Sequence, residues 1–76
     1  MTTDISKIVV YNMKDGTICM GISEMDWKKK QINLKEACQF EKEKLYKFKI
    51  KGIYNMSDKK DISIKIKDFQ SAYILD

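Results

Sequence analysis

Short strand-like runs recur along the chain, and residues typical of turns separate them. The first two runs span residues 5–13 and 17–25, with Asp15-Gly16 between them. Successive side chains of a strand point to opposite faces, so short runs of branched and aromatic residues bounded by turn residues are typical of β-structure. Asp-Gly between two such runs is typical of a tight hairpin turn, because glycine accepts positive φ. The first third of the chain therefore predicts an antiparallel hairpin.

A third strand is predicted at 31–35, where Ile32 and Leu34 alternate with polar residues. The polar turn 26–30 precedes it. Gly21 lies inside the second run, where glycine usually marks a bend or a close approach of backbones. Residues 36–44 have only partial helical spacing and are too few for an independent helix, so we expect a loop with about one helical turn there.

Lysine occupies alternate positions in two later runs, 45–54 and 62–67, which the turn-forming stretch 55–61 separates. An antiparallel hairpin is the natural interpretation, with one apolar and one cationic face. The cationic face would consist of Lys47, Lys49, Lys51, Lys65 and Lys67. Such a face suits an anionic partner, although outward charges also keep a sheet soluble and guard it against edge pairing.

Residues 67–75 predict a short turn leading into a last strand. The chain of 76 residues is expected to form one domain, 1–76, with a small core that oligomerisation would support. Five to six short antiparallel strands with one strand-bending glycine predict an all-β fold, a small SH3-like barrel. The alternative is an open antiparallel sheet that dimerises through an edge.

The positive charge is concentrated in the later part of the chain. The net charge of +4 divides into −2 over residues 1–27, +8 over residues 28–67 and −2 over the last nine. All fifteen basic residues are lysine. Lysine is a mobile point charge without the planar fork with which arginine contacts guanine, so we do not expect base-specific reading of a duplex.

Catalytic and metal-binding residues are sparse. The sequence has no histidine, and the spacing of Cys19 and Cys38 matches no zinc site. We expect buried structural cysteines, no catalytic residues, no metal, no cofactor and no enzymatic activity. Two thiols, no signal peptide and no long apolar run predict a cytoplasmic protein with no membrane segment.

Residues 10–37 resemble the first sequence motif of the Sm-like proteins, the small barrels that include the Sm and Hfq-type RNA-binding rings. Gly16 and Gly21 match the two glycines of the motif, and Ile32, Leu34 and Ala37 match its third strand. The resemblance covers about a third of the chain. It implies an Sm-like barrel of the SH3-like type, self-association into a homo-oligomer and RNA as the partner.

The nucleotide-contacting turn of that family presents an aspartate, then a stacking residue, then an asparagine. By position these correspond to Trp27, Lys29 and Gln31, with Asp26 one residue before the first. Two stretches compete for the family's second motif, 49–52 and 64–68. The second lies correctly before the final strand, with Asp68 in place of the family's glycine.

An aromatic ring beside several lysines is a pairing that single-stranded nucleic-acid sites use, because every base has a face on which to stack. We therefore predict binding of single-stranded RNA or another phosphate-bearing ligand, with the site residues Trp27, Lys28, Lys29, Lys30, Gln31, Lys47, Lys49, Lys51, Lys65 and Lys67. The alternative function is a small phage-type inhibitor or adaptor, in which the lysines complement an acidic or nucleic-acid-binding surface of a host protein.

Overall fold

A computed structural model of the chain describes residues 7–43 and 49–75. Five antiparallel strands form one sheet in the order β4-β3-β2-β1-β5. The strands are β1 (Ile8–Met13), β2 (Thr17–Asp26), β3 (Gln31–Glu41), β4 (Lys60–Lys65) and β5 (Phe69–Leu75), and the helix α1 (Ile50–Met56) lies between β3 and β4. The expectation of a mainly β, antiparallel protein is confirmed.

The predicted hairpin at the start of the chain is confirmed, and its turn is held by two hydrogen bonds. The amide of Gly16 donates to the backbone oxygen of Met13 at 3.2 Å, and the amide of Thr17 donates to Oδ1 of Asp15 at 2.9 Å. Gly16 has a φ of 91°, a conformation that favours glycine. Hydrogen bonding from the side chain of Thr17, and then from its amide, stabilises the carboxylate and lowers the pKa of Asp15.

The long strands β2 and β3 both change register near their middles. In β2 the shift lies between Met20 and Ile22, and in β3 it lies beside Glu36, which has a φ of 47°. At this place Gly21 packs directly against Ala37. A Cβ built on Gly21 would lie 2.7 Å from Cβ of Ala37 and 2.9 Å from the backbone oxygen of Lys35. Only glycine lets the two strands approach this closely.

The sheet is strongly curved because three residues join its two edge strands. A short 3-10 turn, Ile66–Asp68, runs from the end of β4 to the start of β5. From Lys65 at the end of β4 to Phe69 at the start of β5 the chain takes four steps and reaches at most about 14 Å. In a flat sheet the two edge strands would be four strand spacings apart, or about 19 Å. The link can therefore connect the edges only if the sheet bends. Among the described residues β4 and β5 do not pair, so the sheet is not closed into a barrel.

Residues from every strand meet on the inner side of this curve. Tyr11 of β1 lies near the centre, with its ring 5.1 Å from that of Phe69 in an edge-to-face arrangement and its hydroxyl 2.6 Å from Oγ of Ser23. We call this group the inner cluster, and its buried members are Tyr11, Cys19, Ile32, Leu34, Ala37 and Ile64. It joins the two edges of the sheet through Ile64 and Phe69.

The opposite face of the sheet is covered by α1. Ile50 and Tyr54 of the helix pack against a second group, the helix-covered cluster, whose buried members are Val10, Ile18, Met20 and Cys38. The hydroxyl of Tyr54 donates to the backbone oxygen of Glu36 at 2.6 Å. Both sides of the sheet are therefore apolar around the middle of β1 and β2.

The prediction of a strand over 45–54 is wrong where the structure describes it, since Ile50–Met56 is helical. Ile50, Ile53 and Tyr54 are spaced three and four residues apart and so lie on one side of a helix. The alternate lysines of the same run fit a period of two instead, and the apolar face of the sheet that the helix covers decides between the two conformations. Residues 50–54 therefore do not form the predicted hairpin with 62–67, and β4 pairs with β3 instead.

The prediction of a loop over 36–44 is also wrong for 36–41, because β3 continues to Glu41. The bulge at Glu36 shifts the alternation of side chains between the two faces of the sheet. Leu34 and Ala37 therefore both face the inner cluster, although they are three positions apart. This interruption gave the segment its irregular appearance in the sequence. The last strand, predicted after a short turn, is confirmed as β5.

Substituting Gly21 by alanine tests the close approach of β2 and β3. Gly21→Ala is expected to lower the free energy of unfolding by about 1 to 3 kcal/mol, because its methyl group would overlap backbone atoms that cannot rotate away. Gly52→Ala is the matched control. It lies in α1 with nothing within 4 Å of its added methyl group, and it should raise stability by about 0.5 to 1 kcal/mol. Urea unfolding measures both, and equal stability of the two variants would contradict the proposed packing.

Candidate functional site

The turn between β2 and β3 consists of residues 27–30 and carries the only tryptophan of the chain. Asp26 and Gln31 pair across its base. Oδ1 of Asp26 accepts a hydrogen bond from the amide of Lys29 at 3.2 Å, and Lys30 closes the turn with a φ of 51°. Trp27 is 74% exposed. The turn therefore has a defined backbone and presents its aromatic ring to solvent.

The link between β4 and β5 lies directly beside this turn. The amide of Ile66 donates to the backbone oxygen of Lys30 at 3.1 Å, and Lys65 pairs with Gln31 in the sheet. Two lysine-bearing connections that are distant in sequence thus meet at one end of the sheet. We call this surface the lysine end, and its residues are Trp27, Lys28, Lys29, Lys30, Gln31, Lys65 and Lys67.

The five lysines of the lysine end are all exposed. Asp26 and Asp68 are the carboxylates on the same two connections, and Oδ1 of Asp26 already accepts a backbone hydrogen bond. Within residues 7–43 and 49–75, the one ion pair joins Lys35 to Glu24 at 3.5 Å, outside this surface. The lysine end therefore has a net positive charge that the described carboxylates do not pair with.

A row of polar side chains follows the lysine end along β3 and β4. Nε2 of Gln31 donates to Oδ1 of Asn33 at 2.8 Å, and the hydroxyl of Ser63 donates to the same oxygen at 3.0 Å. Asn33 and Ser63 were not among the predicted site residues. The alternation of Gln31 with Asn33 was visible in the sequence, but the pairing with Ser63 depends on the register of β4.

Two of the remaining predicted lysines, Lys49 and Lys51, do not belong to the lysine end. Lys49 immediately precedes α1 and Lys51 lies in its first turn, whereas Lys47 is outside the described residues. The helix packs on the helix-covered cluster, and its Tyr54 contacts β3 at Glu36, five residues from Gln31. The cationic strand face predicted from alternate lysines is therefore not formed, and Lys65 and Lys67 contribute as parts of the link instead.

Both cysteines are buried and free, as predicted. Burial raises the pKa of the Cys19 thiol to about 11 and also raises the pKa of Cys38, despite a hydrogen bond with Ser57 that acts in the opposite direction. A thiol with a raised pKa stays protonated at neutral pH and is a poor nucleophile. The described part of the chain holds no cluster of metal-ligating side chains, and none of its helices has the length and apolar character to cross a bilayer.

Comparison of the chain with protein-family models, curated proteins and solved structures finds no match.

The buried Cys19 thiol predicts a loss of stability in alkaline solution. Its pKa is about 11 in the folded protein against 9.0 for the free group. Between these pH values the unfolded chain releases this proton while the folded chain retains it, so stability falls as the pH rises. Cys19→Ala should show a shallower fall in the free energy of unfolding over the same interval.

The control for this measurement is Met20→Leu, which changes the neighbouring buried side chain without removing a titratable group. It should keep the pH dependence of the natural chain. An unchanged slope in Cys19→Ala would show that the thiol ionises alike in both states.

Proposed function

We propose that this chain is a non-enzymatic binding protein of the Sm-like or SH3-like barrel type, which binds single-stranded RNA or another phosphate-bearing ligand at the lysine end. The observation that carries the proposal is the hydrogen bond between Ile66 and the backbone oxygen of Lys30. It holds the lysines of the link beside the Trp27 turn. Cations and a stacking surface are then available to one ligand.

The barrel part of the proposal is supported by the curvature of the sheet. The short link Ile66–Asp68 brings the two edges toward each other, and the inner cluster contains residues from both edge strands. Gly21 and Ala37, two of the residues that carry the Sm-like resemblance, are in contact at the bend of β2 and β3. A small barrel needs such a bend in its long strands.

The proposed binding mode combines stacking with charge neutralisation. A base would stack on Trp27, whose ring is the most accessible aromatic surface beside the lysines. The ammonium groups of the lysine end would contact the phosphates, and Gln31 and Asn33 offer amide groups next to them. Because lysine acts as a point charge, this arrangement favours recognition of a flexible anionic chain over a particular base sequence.

Removing the ring of Trp27 tests the stacking contact. Trp27→Ala should weaken binding of short A- or U-rich oligonucleotides by about 5- to 150-fold, the equivalent of about 1 to 3 kcal/mol for one stacked base. Because the side chain is exposed, the melting temperature should stay nearly unchanged. Titration of the natural chain should also change its tryptophan fluorescence. A spectrum that excess oligonucleotide leaves unaltered at low salt would rule out stacking.

Two matched double variants test which lysines contact the ligand. Lys28→Gln with Lys29→Gln removes two charges from the lysine end, and Lys49→Gln with Lys51→Gln removes two charges at α1. Both have the same net charge, so long-range attraction changes equally. The first pair should weaken binding strongly and the second only slightly. Equal losses would show that overall charge, and not this surface, drives binding.

The dependence of the binding constant on salt concentration indicates how many phosphates the lysines neutralise. If all five lysines of the lysine end each neutralise one phosphate, the slope of log K against log salt is about −3.5, or about a hundredfold loss between about 50 and 200 mM salt. Lys28→Gln with Lys29→Gln should make the slope shallower by about 1.4. The α1 variant should retain the original slope.

The same surface favours a second candidate function, that of a phage-type inhibitor or adaptor bound to an acidic protein surface. An exposed tryptophan among cations is typical of the central anchor of a protein interface. Purification separates the two functions. Nucleic acid that accompanies the protein raises the ratio of absorbance at 260 nm to that at 280 nm, whereas a protein partner appears as a second chain in stoichiometric amount.

A further inference from the structure

The edge strand β5 is unusual among the strands because it is exposed and carries no charge. Its seven residues Phe69–Leu75 contain no charged side chain and no proline. All five of its central residues are exposed, including Tyr73 at 43% and Ile74 at 51%. Proteins usually protect such an edge with lysine, proline or a covering segment. Within the described residues β5 pairs on one side only, with β1.

The exposed apolar side chains of β5 extend both clusters of the core. Tyr73 pairs with Val10, which is fully buried in the helix-covered cluster, and Ile74 pairs with Val9 beside the inner cluster. Residues directly opposite on neighbouring strands share a face, so Tyr73 and Ile74 prolong opposite faces of the sheet. One additional strand beside β5 would shield both residues at once.

The opposite edge of the sheet differs in charge. In β4, Lys60, Asp61 and Lys65 are all exposed. A second copy could place its β4 beside β5, next to Tyr73 and Ile74. The charged side chains of β4 would then lose water and find no charged partner on β5. Two β4 strands together would oppose lysines from both copies. The uncharged edge is complementary only to an uncharged edge.

We infer that the chain forms a two-fold symmetric dimer in which β5 of one copy pairs antiparallel with β5 of the other. Full overlap of Phe69–Leu75 with itself places Ala72 opposite Ala72 of the second copy at the two-fold axis. Ile74 then faces Gln70, and Tyr73 faces Ser71. The sheets of the two copies join into one sheet of ten strands. Both copies use the same surface, the edge of β5, to form the interface.

This dimer is independent of the proposed function, because β5 contributes no residue to the lysine end. It gives the expected homo-oligomer a closed two-fold interface in place of a ring. The contact is small, since one strand pairs with one strand, so the dimer should dissociate on dilution. Association can be measured without nucleic acid, and oligonucleotide binding can be measured on a monomeric variant.

Sedimentation velocity over a wide range of protein concentration tests the inference. The natural chain should change from 9.0 kDa to twice that mass as its concentration rises. Ala72→Lys should remain monomeric, because it places two lysines together at the axis. Ser63→Lys, which adds the same charge at an exposed, uncharged residue of β4, is the matched control and should dimerise like the natural chain. Circular dichroism establishes that both variants are folded.

Cysteine trapping provides a second measurement that tolerates a failure of the lysine variant to fold. Residues opposite each other on antiparallel strands have Cβ atoms about 4.5 to 5.5 Å apart, near the distance that a disulfide needs. Ala72→Cys should therefore form a covalent dimer under mild oxidation, and Ser63→Cys should not. The natural Cys19 and Cys38 are buried and should not compete.

Three outcomes would overturn the inference. If the natural chain stays monomeric at every concentration, β5 does not pair with a second copy, and its edge is free to bind a strand of a different polypeptide. A larger assembly that Ser63→Lys also disrupts would indicate pairing of β5 with β4. Failure of Ala72→Cys to cross-link a chain that does dimerise would place the interface elsewhere.

Discussion

The three-residue link between the edge strands is the constraint on which the other features of the structure depend. Ile66–Asp68 is too short to connect β4 with β5 across a flat sheet, so β2 and β3 must bend. The bend creates an inner side on which residues of all five strands pack. It also places the start of the link against the turn after β2, where the amide of Ile66 bonds to Lys30. Curvature and the lysine end thus have one origin.

The bend itself depends on small residues at one crossing point. Gly21 and Ala37 allow the backbones of β2 and β3 to touch, and Glu36 adopts positive φ to form the bulge opposite. On the outer side the curved sheet leaves a buried apolar surface that a short helix covers through Ile50 and Tyr54. A helix of seven residues is not stable alone, so its conformation is a consequence of this docking.

The two surfaces available to partners have different chemistry and lie on different elements. The lysine end offers mobile cations and the exposed ring of Trp27, which suit a flexible anionic ligand. The β5 edge offers backbone hydrogen-bonding groups with Tyr73 and Ile74, which suit another uncharged strand. A dimer formed through β5 would present two lysine ends, and two linked sites increase the apparent affinity for a long ligand.

The sequence alone was sufficient for the first hairpin, the Trp27 turn and the last strand, because Asp-Gly, the polar turn residues and local alternation act over neighbouring positions. It also placed Cys19 and Cys38 in the interior. It could not decide the conformation of Ile50–Met56, where the alternate lysines fit a strand and the spacing of Ile50, Ile53 and Tyr54 fits a helix. Tertiary packing decided that, because only the assembled sheet presents the apolar face that the helix covers. Tertiary structure likewise brought Lys65 and Lys67 to the Trp27 turn, since the neighbours of a residue across a sheet depend on strand order and register.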